Sequence, residues 1–242
     1  MNYTLCGKFY WLVSLSVGLY VIPSLAPSGA SAANILGTSG DDNLPGTNAI
    51  DSIWALGGND MVWGNQDNDN LYGYGGSDWI NGGAGNDFVL AGDGNDIVKG
   101  NGGQDILDGG KGTDVIQGNR NNDEITGGPG SDILEGNKGN DFIYGEDGND
   151  WIAGNDGQDW LYGGKLNDRL KGLSGNDKIS GGSGEDNLSG GKGADDLTAG
   201  KGSDILKGGS GPDHFDCGNG FDIIVDFNRG QGDTKESNCE DY

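Results

Sequence analysis

The amino-acid sequence predicts an all-β solenoid, a fold in which one short unit is stacked many times along an axis. The first observation is an unbroken period of nine residues, which divides residues 37–225 into 21 blocks without insertion or deletion. The second is that the sixth place of every block is Asp and the eighth is apolar. The third is glycine, which fills the first place in 17 blocks and the fourth place in another 17. A fixed period of nine residues indicates a β-helix or β-roll.

Residues 1–32 precede the blocks and are typical of a secretory signal peptide. Lys8 is the only charge before an apolar run at residues 9–22, and residues 30–32 (Ala-Ser-Ala) suit cleavage. The apolar run is short for a membrane span, although an uncleaved anchor is the alternative. The sequence therefore predicts a secreted, extracellular or cell-surface protein with no membrane span after cleavage.

Each block is expected to divide into six turn residues and three strand residues. Glycine at the first and fourth places would allow positive φ, where a side chain would clash. The seventh to ninth residues would form a short strand whose middle, apolar side chain points inward. The seventh and ninth side chains would then face solvent.

Blocks such as GGAGNDFVL at residues 82–90 and GGSGEDNLS at residues 181–189 carry the consensus G-G-x-G-x-D-x-U-x. In this respect the chain resembles the repeats-in-toxin (RTX) family of hemolysin-type calcium-binding proteins, over 189 of its 242 residues. The resemblance implies a right-handed parallel β-roll in which two blocks make one turn. Odd and even blocks would then form two separate parallel sheets of short strands, with about ten turns in all.

The resemblance also implies that Ca²⁺ ions lie between the turns of blocks i and i+2. They would be held by sixth-place carboxylates and by turn carbonyls, ligands that suit Ca²⁺ better than Zn²⁺ or Mg²⁺. Without a cation, the stacked carboxylates would repel one another. The expected ligands are Asp42, Asp60, Asp78, Asp87, Asp96, Asp105, Asp114, Asp132, Asp141, Asp150, Asp159, Asp177, Asp186, Asp195, Asp204, Asp213 and Asp222.

Four turns lack the fourth glycine and have Ala49, Asp67, Asn121 or Leu166 instead. Asn and Asp tolerate the left-handed conformation, whereas Ala and Leu adopt it less readily. The blocks allow at most 19 calcium sites, and discounting those that touch these four turns leaves about 13. Thirteen ions carry +26, which nearly cancels the −25 of the chain without residues 1–32. The alternative is that the aspartates only cap turns.

The composition indicates how folding and metal are linked. With 52 glycines, 33% hydrophobic residues and a net charge of −24, the metal-free chain resembles a disordered one. Glycines that keep phase over 21 blocks argue against permanent disorder. We therefore expect the chain to be unfolded at low Ca²⁺ and to fold after export, with binding energy serving as folding energy. The strong negative charge excludes nucleic acid as a partner.

The outward places predict a possible contact surface. In odd blocks the seventh place is apolar on six consecutive rungs: Met61, Trp79, Ile97, Val115, Ile133 and Trp151. Even blocks carry further aromatic residues at their outward places, among them Trp54, Tyr72, Phe88, Phe142, Tyr144, Trp160 and Tyr162. An exposed apolar ladder indicates a binding surface for polysaccharide or protein, as in an adhesin, with Trp79 and Trp151 as its main residues. The alternative is strand propensity, since aromatic and β-branched residues favour strands anywhere.

No catalytic motif is found in the sequence, and we expect no enzymatic activity. The blocks fill the chain after the expected cleavage site, and His214 is the sole histidine. Neither H-E-x-x-H nor G-x-S-x-G occurs.

Loss of the signal peptide would leave two cysteines, Cys217 and Cys239. An even count in an exported chain suggests one disulfide, the alternative being two free thiols. The bond would tie the last block to residues 226–242, which we expect to cap the open end of the solenoid.

Overall fold

The computed structural model describes residues 31–239, so that nearly all of the expected signal peptide lies outside the described residues. Residues 31–239 form 24 strands and contain no helix. Within that range, accordingly, no helix is long and apolar enough to cross a membrane.

The strands form two parallel sheets, of 13 and 11 strands. The thirteen-stranded sheet contains β1 (Asn34–Leu36), β3 (Ser52–Gly57), β5 (Asn70–Gly75), β7 (Phe88–Asp93), β9 (Ile106–Lys111), β11 (Glu124–Pro129), β13 (Phe142–Asp147), β15 (Trp160–Lys165), β17 (Lys178–Ser183), β19 (Asp196–Gly202), β21 (His214–Asp216), β22 (Asn219–Gly220) and β24 (Thr234–Lys235). The eleven-stranded sheet contains β2 (Asn43–Pro45), β4 (Met61–Gln66), β6 (Trp79–Ala84), β8 (Ile97–Gly102), β10 (Val115–Arg120), β12 (Ile133–Lys138), β14 (Trp151–Asp156), β16 (Arg169–Ser174), β18 (Asn187–Lys192), β20 (Ile205–Ser210) and β23 (Ile223–Ile224).

Neighbouring strands of each sheet lie 18 residues apart in sequence, so that two blocks make one turn. In the thirteen-stranded sheet Ile143 pairs with Leu161, and in the eleven-stranded sheet Val115 pairs with Ile133. The last three residues of the even blocks lie in the thirteen-stranded sheet, and those of the odd blocks lie in the eleven-stranded sheet. The predicted fold class, a parallel β-solenoid of two short-stranded sheets, is confirmed, and the eleven-stranded sheet gives about eleven turns where about ten were expected.

Most strands are six residues long, twice the expected length. Each comprises the last three residues of one block and the first three of the next. In β10 and β12, pairing resumes after one skipped residue, with Asn119 opposite Asn137 and Arg120 opposite Lys138. Every rung bends at the same place, so the residues beyond the bend stack in register as well. Only three residues per block are left for the turn.

The core is formed by the eighth-place side chains of both sheets. Twenty of the 21 are buried, at 0–2% exposure, and Ile224 at the C-terminal end is half-buried. Where the first place is not glycine, its small side chain joins this core, as Ala55, Ala91, Ala199 and Cys217 do. The alternation of buried and outward residues along the strand thus follows the sequence pattern.

The C-terminal tail lies across the last rung. The predicted disulfide is present and joins Cys217 to Cys239. Strand β24 pairs with β21, His214 lying opposite Thr234. The carboxylate of Asp226 accepts hydrogen bonds of 2.9 Å from two backbone amides of the preceding turn. These contacts add one short strand to the thirteen-stranded sheet and hold the tail against the last turns.

Candidate metal centre

The sixth-place aspartates form two columns along the edges of the roll. We call Asp42 to Asp222 of the odd blocks the odd column, and Asp51 to Asp213 of the even blocks the even column. All 21 side chains are buried, with 0–7% exposure. In 19 turns the Asp amide donates to the Oδ1 atom of the Asp 18 residues later, at 2.7–3.0 Å. Each column is therefore a continuous chain of hydrogen bonds.

The second carboxylate oxygen has no such partner in most turns. In 18 successive blocks, from Asp60 to Asp213, the Oδ2 atom is buried and accepts no hydrogen bond from the described residues. Aspartate is rarely buried unless it is paired, because an unsatisfied charged oxygen in the interior is costly. These oxygens define the candidate metal site, because cations bound along the two rows would satisfy them.

The pKa values of the column aspartates also indicate that positive charge is missing near them. Burial raises the pKa of Asp123 to about 8, with repulsion from Asp105 and Asp141 adding to the effect. Burial likewise raises the pKa of Asp132, with repulsion from its column neighbours adding to it, to about 7. At neutral pH these groups need either a proton or a cation.

The expected reason for the first-place glycine is wrong. Positive φ occurs at the second and fourth places, and at no first place in residues 31–239. The first-place glycine is needed because of space: a Cβ on Gly136 would overlap the Oδ2 atom of Asp141. A Cβ on Gly64 would overlap both Asp69 Oδ2 and the carbonyl oxygen of Gly82 in the next turn. Glycine therefore makes room for the carboxylate beneath the backbone.

Three of the four turns without the fourth glycine keep the left-handed conformation. Asp67, Asn121 and Leu166 have φ of 65°, 71° and 72°, whereas the fourth-place glycines with positive φ span 116–158°. The expected tolerance of Asp and Asn is confirmed, and Leu166 also takes the left-handed conformation, although Leu was expected to adopt it less readily. The smaller φ values of Asp67, Asn121 and Leu166 lie in the part of the left-handed region that residues with a side chain can adopt. Of the four turns without the fourth glycine, that of Ala49 alone lacks positive φ at this place.

Three aspartates outside the expected ligands share the geometry of the others. Asp69, Asp123 and Asp168 lie in the turns of Asp67, Asn121 and Leu166, and each has the same unpartnered Oδ2 atom. Of the 17 expected ligands, 15 share this feature and two do not. Asp222 lies at the C-terminal end of its column, and the Oδ2 atom of Asp42 accepts hydrogen bonds from Thr38.

The fifth place carries a function that the sequence analysis missed. Side chains there accept hydrogen bonds from the fifth-place amide 18 residues later: Asn68 Oδ1 from Asn86 at 2.7 Å, and Asn86 Oδ1 from Gln104 at 2.8 Å. The signal was available, since nine of the 21 fifth-place residues are Asn. These side chains satisfy the amides on the outer edge of the turn.

An ion in these turns would need backbone oxygens as well as carboxylates. Within residues 31–239, no three Asp, Glu, His or Cys side chains converge closely enough to hold a metal. The fourth-place carbonyl of one turn points at the next turn, so that a Cβ on Gly112 would overlap the oxygen of Gly94. Carboxylate and carbonyl oxygens also lie close together, since Asp69 Oδ2 and the Gly82 carbonyl oxygen are both 2.4 Å from the position of a Cβ on Gly64. Ca²⁺ accepts such mixed oxygen ligands in flexible geometry.

Comparison with known families identifies the repeat. A family model described as "RTX calcium-binding nonapeptide repeat (4 copies)" matches the chain in overlapping segments from residue 36 to residue 224. The segments are residues 36–71, 63–98, 72–107, 99–134, 108–143, 126–161, 135–170, 162–197 and 189–224. No curated protein matches the chain in sequence.

Proposed function

The chain belongs to the family of RTX calcium-binding nonapeptide repeats, and we propose that it is an exported protein whose turns bind two rows of Ca²⁺. The observation that carries the proposal is the run of 18 buried Oδ2 atoms without a partner. The expected signal peptide and the strong negative charge support export to the extracellular space or the cell surface. We propose no catalytic activity, because the aspartates are accounted for as ligands.

The unpartnered oxygens suggest a number of calcium ions between the two values expected from the sequence, about 13 and at most 19. The unpartnered oxygens fall nine in each column, which leaves eight spaces between successive turns per column and 16 in all. This exceeds the 13 expected from intact glycine turns and stays below the ceiling of 19. Thirteen ions would nearly neutralise the chain, whereas 16 would leave it positive. The count of bound ions therefore distinguishes the two.

Calcium would couple folding to the compartment. The columns place carboxylates in register, and within residues 31–239 none of them forms an ion pair with a basic side chain, so any charge on them must be neutralised before the rungs can stack. The chain would stay unfolded where Ca²⁺ is scarce and fold where it is abundant, outside the cell. The product is a rigid rod of about 50 Å, at ~4.8 Å per rung.

A titration of CaCl₂ into the purified, chelator-treated chain, followed by far-UV circular dichroism, tests the proposal. We expect a cooperative gain of β signal with Ca²⁺ and none with Mg²⁺, which demands stricter octahedral geometry. A spectrum that is already rich in β structure in excess chelator would refute the coupling of folding to metal binding. A chain that stays unordered in Ca²⁺ would refute calcium binding itself.

A second candidate function, an adhesin or carbohydrate-binding module, is favoured by the outer face of the eleven-stranded sheet. The apolar residues Met61, Trp79, Ile97, Val115, Ile133 and Trp151 lie opposite one another on six successive strands. Met61, Ile97 and Ile133 are 42–51% exposed. An apolar ladder of this length suits a flat ligand or partner.

The aromatic residues of the other sheet are less suited to sugar binding. Phe142 and Trp160 are stacked at 4.6 Å with an interplanar angle of 4°, and Tyr144 and Tyr162 at 5.1 Å and 6°. Their faces are turned toward each other, which indicates cross-strand stabilisation. In a glycan-binding assay, Trp79→Ala and Trp151→Ala should abolish binding with folding intact, and Trp160→Ala is the matched control. Unchanged binding in the first two variants would exclude the ladder.

A further inference from the structure

The first two turns of the roll differ from those that follow. From the third block onward, the second residue of all 19 blocks has positive φ, whether it is Gly, Asn, Leu, Tyr or Glu. The second residues of the first two blocks, Thr38 and Thr47, do not have it. They are also the only threonines at this place.

The two threonines satisfy the carboxylate oxygen that is unpartnered elsewhere. Asp42 Oδ2 accepts from the amide of Thr38 and, at 2.9 Å, from its Oγ1 hydroxyl. In the next block, Asp51 Oδ2 accepts from the Thr47 amide, and Asp51 Oδ1 accepts from the Thr47 hydroxyl at 3.0 Å. Asp51 Oδ1 also accepts from the Ala33 amide at 2.6 Å.

Each hydroxyl forms a second hydrogen bond within its own turn. The Thr38 Oγ1 atom accepts from the Gly40 amide and the Thr47 Oγ1 atom from the Ala49 amide, both at 3.2 Å. Short hydroxyl side chains commonly close turns in this way. A local network thus supplies the donors that the later turns lack.

We propose that Thr38 and Thr47 close the first two turns without calcium, so that the rows of ions begin at Asp60 and Asp69. The inference rests on the proposed calcium binding and removes Asp42 from the expected ligands. The donated protons of an amide and a hydroxyl take the place of the ion at the carboxylate. The N-terminal end thereby gains a polar cap, as terminal repeats of solenoids require.

Native mass spectrometry of the calcium-loaded chain tests this inference, because it counts bound ions. Thr38→Gly creates the sequence GGSGDD in the first turn, which matches the consensus, and should bind one ion more than the wild type. Thr38→Ser keeps both donors and should match the wild type. Asp42→Asn should also match the wild type, whereas Asp132→Asn, in the interior of the odd column, should bind fewer ions.

An unchanged count in Thr38→Gly, or a reduced count in Asp42→Asn, overturns the inference. The ion count of Asp42→Asn remains decisive if Thr38→Gly does not fold. A wild-type chain that binds no calcium would instead refute the proposed function, and the Asp132→Asn result shows that the assay detects a lost site.

Discussion

Asp141→Asn changes one oxygen in the middle of the even column. Asp141 Oδ1 accepts from the Asp123 amide at 2.8 Å, and the Asp141 amide donates to Asp159 Oδ1 at 2.9 Å. Asparagine keeps the first acceptor and leaves the backbone donor unchanged. It replaces the unpartnered Oδ2 with a neutral amide nitrogen, so the substitution removes the charge and turns one acceptor into a donor while it keeps the shape of the side chain.

The variant should have opposite effects without and with calcium. Burial raises the pKa of Asp141 from its usual 3.8 to about 6. A rise of about 2 pKa units corresponds to about 3 kcal/mol at a pH above 6. The side chain is fully covered but lies at the edge of the roll, so solvent screening reduces this to about 1–2 kcal/mol. Removing the carboxylate should stabilise the metal-free fold by that amount, while each flanking ion loses a charged ligand.

Two titrations followed by far-UV circular dichroism measure these effects. In CaCl₂ the folding midpoint of Asp141→Asn should rise, roughly tenfold for each 1.4 kcal/mol of binding lost. In chelator, the pH at which β signal is lost on raising the pH should be higher than for the wild type. Asp196→Asn is the matched control, since Asp196 is exposed on an outward face. A calcium midpoint that falls or stays unchanged in Asp141→Asn would refute the assignment of the column as the ion site.

Three further predictions follow from the same geometry. The sixth-place carboxyls have folded-state pKa values of up to about 8 against 3.8 in the unfolded chain, so the folded state binds more protons between these values. The free energy of unfolding of the metal-free chain should therefore fall as pH rises from about 4 to about 8, and calcium affinity should rise, both measurable by circular dichroism. Gly136→Ala should cost about 1–3 kcal/mol in urea unfolding, because the added Cβ overlaps Asp141 Oδ2. Gly75→Ala, whose Cβ would lie 3.8 Å from its nearest neighbour, should be tolerated, and equal effects would contradict the role of the first-place glycine. Replacing the disulfide with two alanines should lower stability by roughly 3 kcal/mol, with proteolysis starting in the tail, and unchanged stability would show that the tail is held by its other contacts.

The period predicted the architecture well because stacking carries each sequence place onto a line. The eighth-place core and the two columns of aspartates follow directly from that rule. The left-handed second place was missed because its residues share no side-chain type: Leu56, Tyr74, Glu146 and Leu173 take φ of 73–81° alongside glycines and asparagines. This conformation is imposed by the stacked backbone, which a pattern of side chains does not show.

The roles of the first and fifth places were also beyond the pattern. A glycine can serve conformation or space, and only the position of the Asp141 carboxylate showed that Gly136 serves space. The asparagines at the fifth place recur too irregularly to predict hydrogen bonds between rungs. Leu166 is the opposite case. Leucine disfavours the left-handed conformation, yet Leu166 adopts it as most fourth-place glycines do.

The direction of the hydrogen bonds in the columns sets an order of assembly. In 19 turns the Asp amide donates to the carboxylate 18 residues further along the chain, and the Asp213 amide donates to Asp233, so that every such bond within residues 31–239 reaches forward. A chain that leaves the cell N-terminus first can therefore complete no rung until the next turn has emerged. Folding would follow export with a lag of one turn, and the tail with its disulfide, which comes after the last rung, would seal the final rungs.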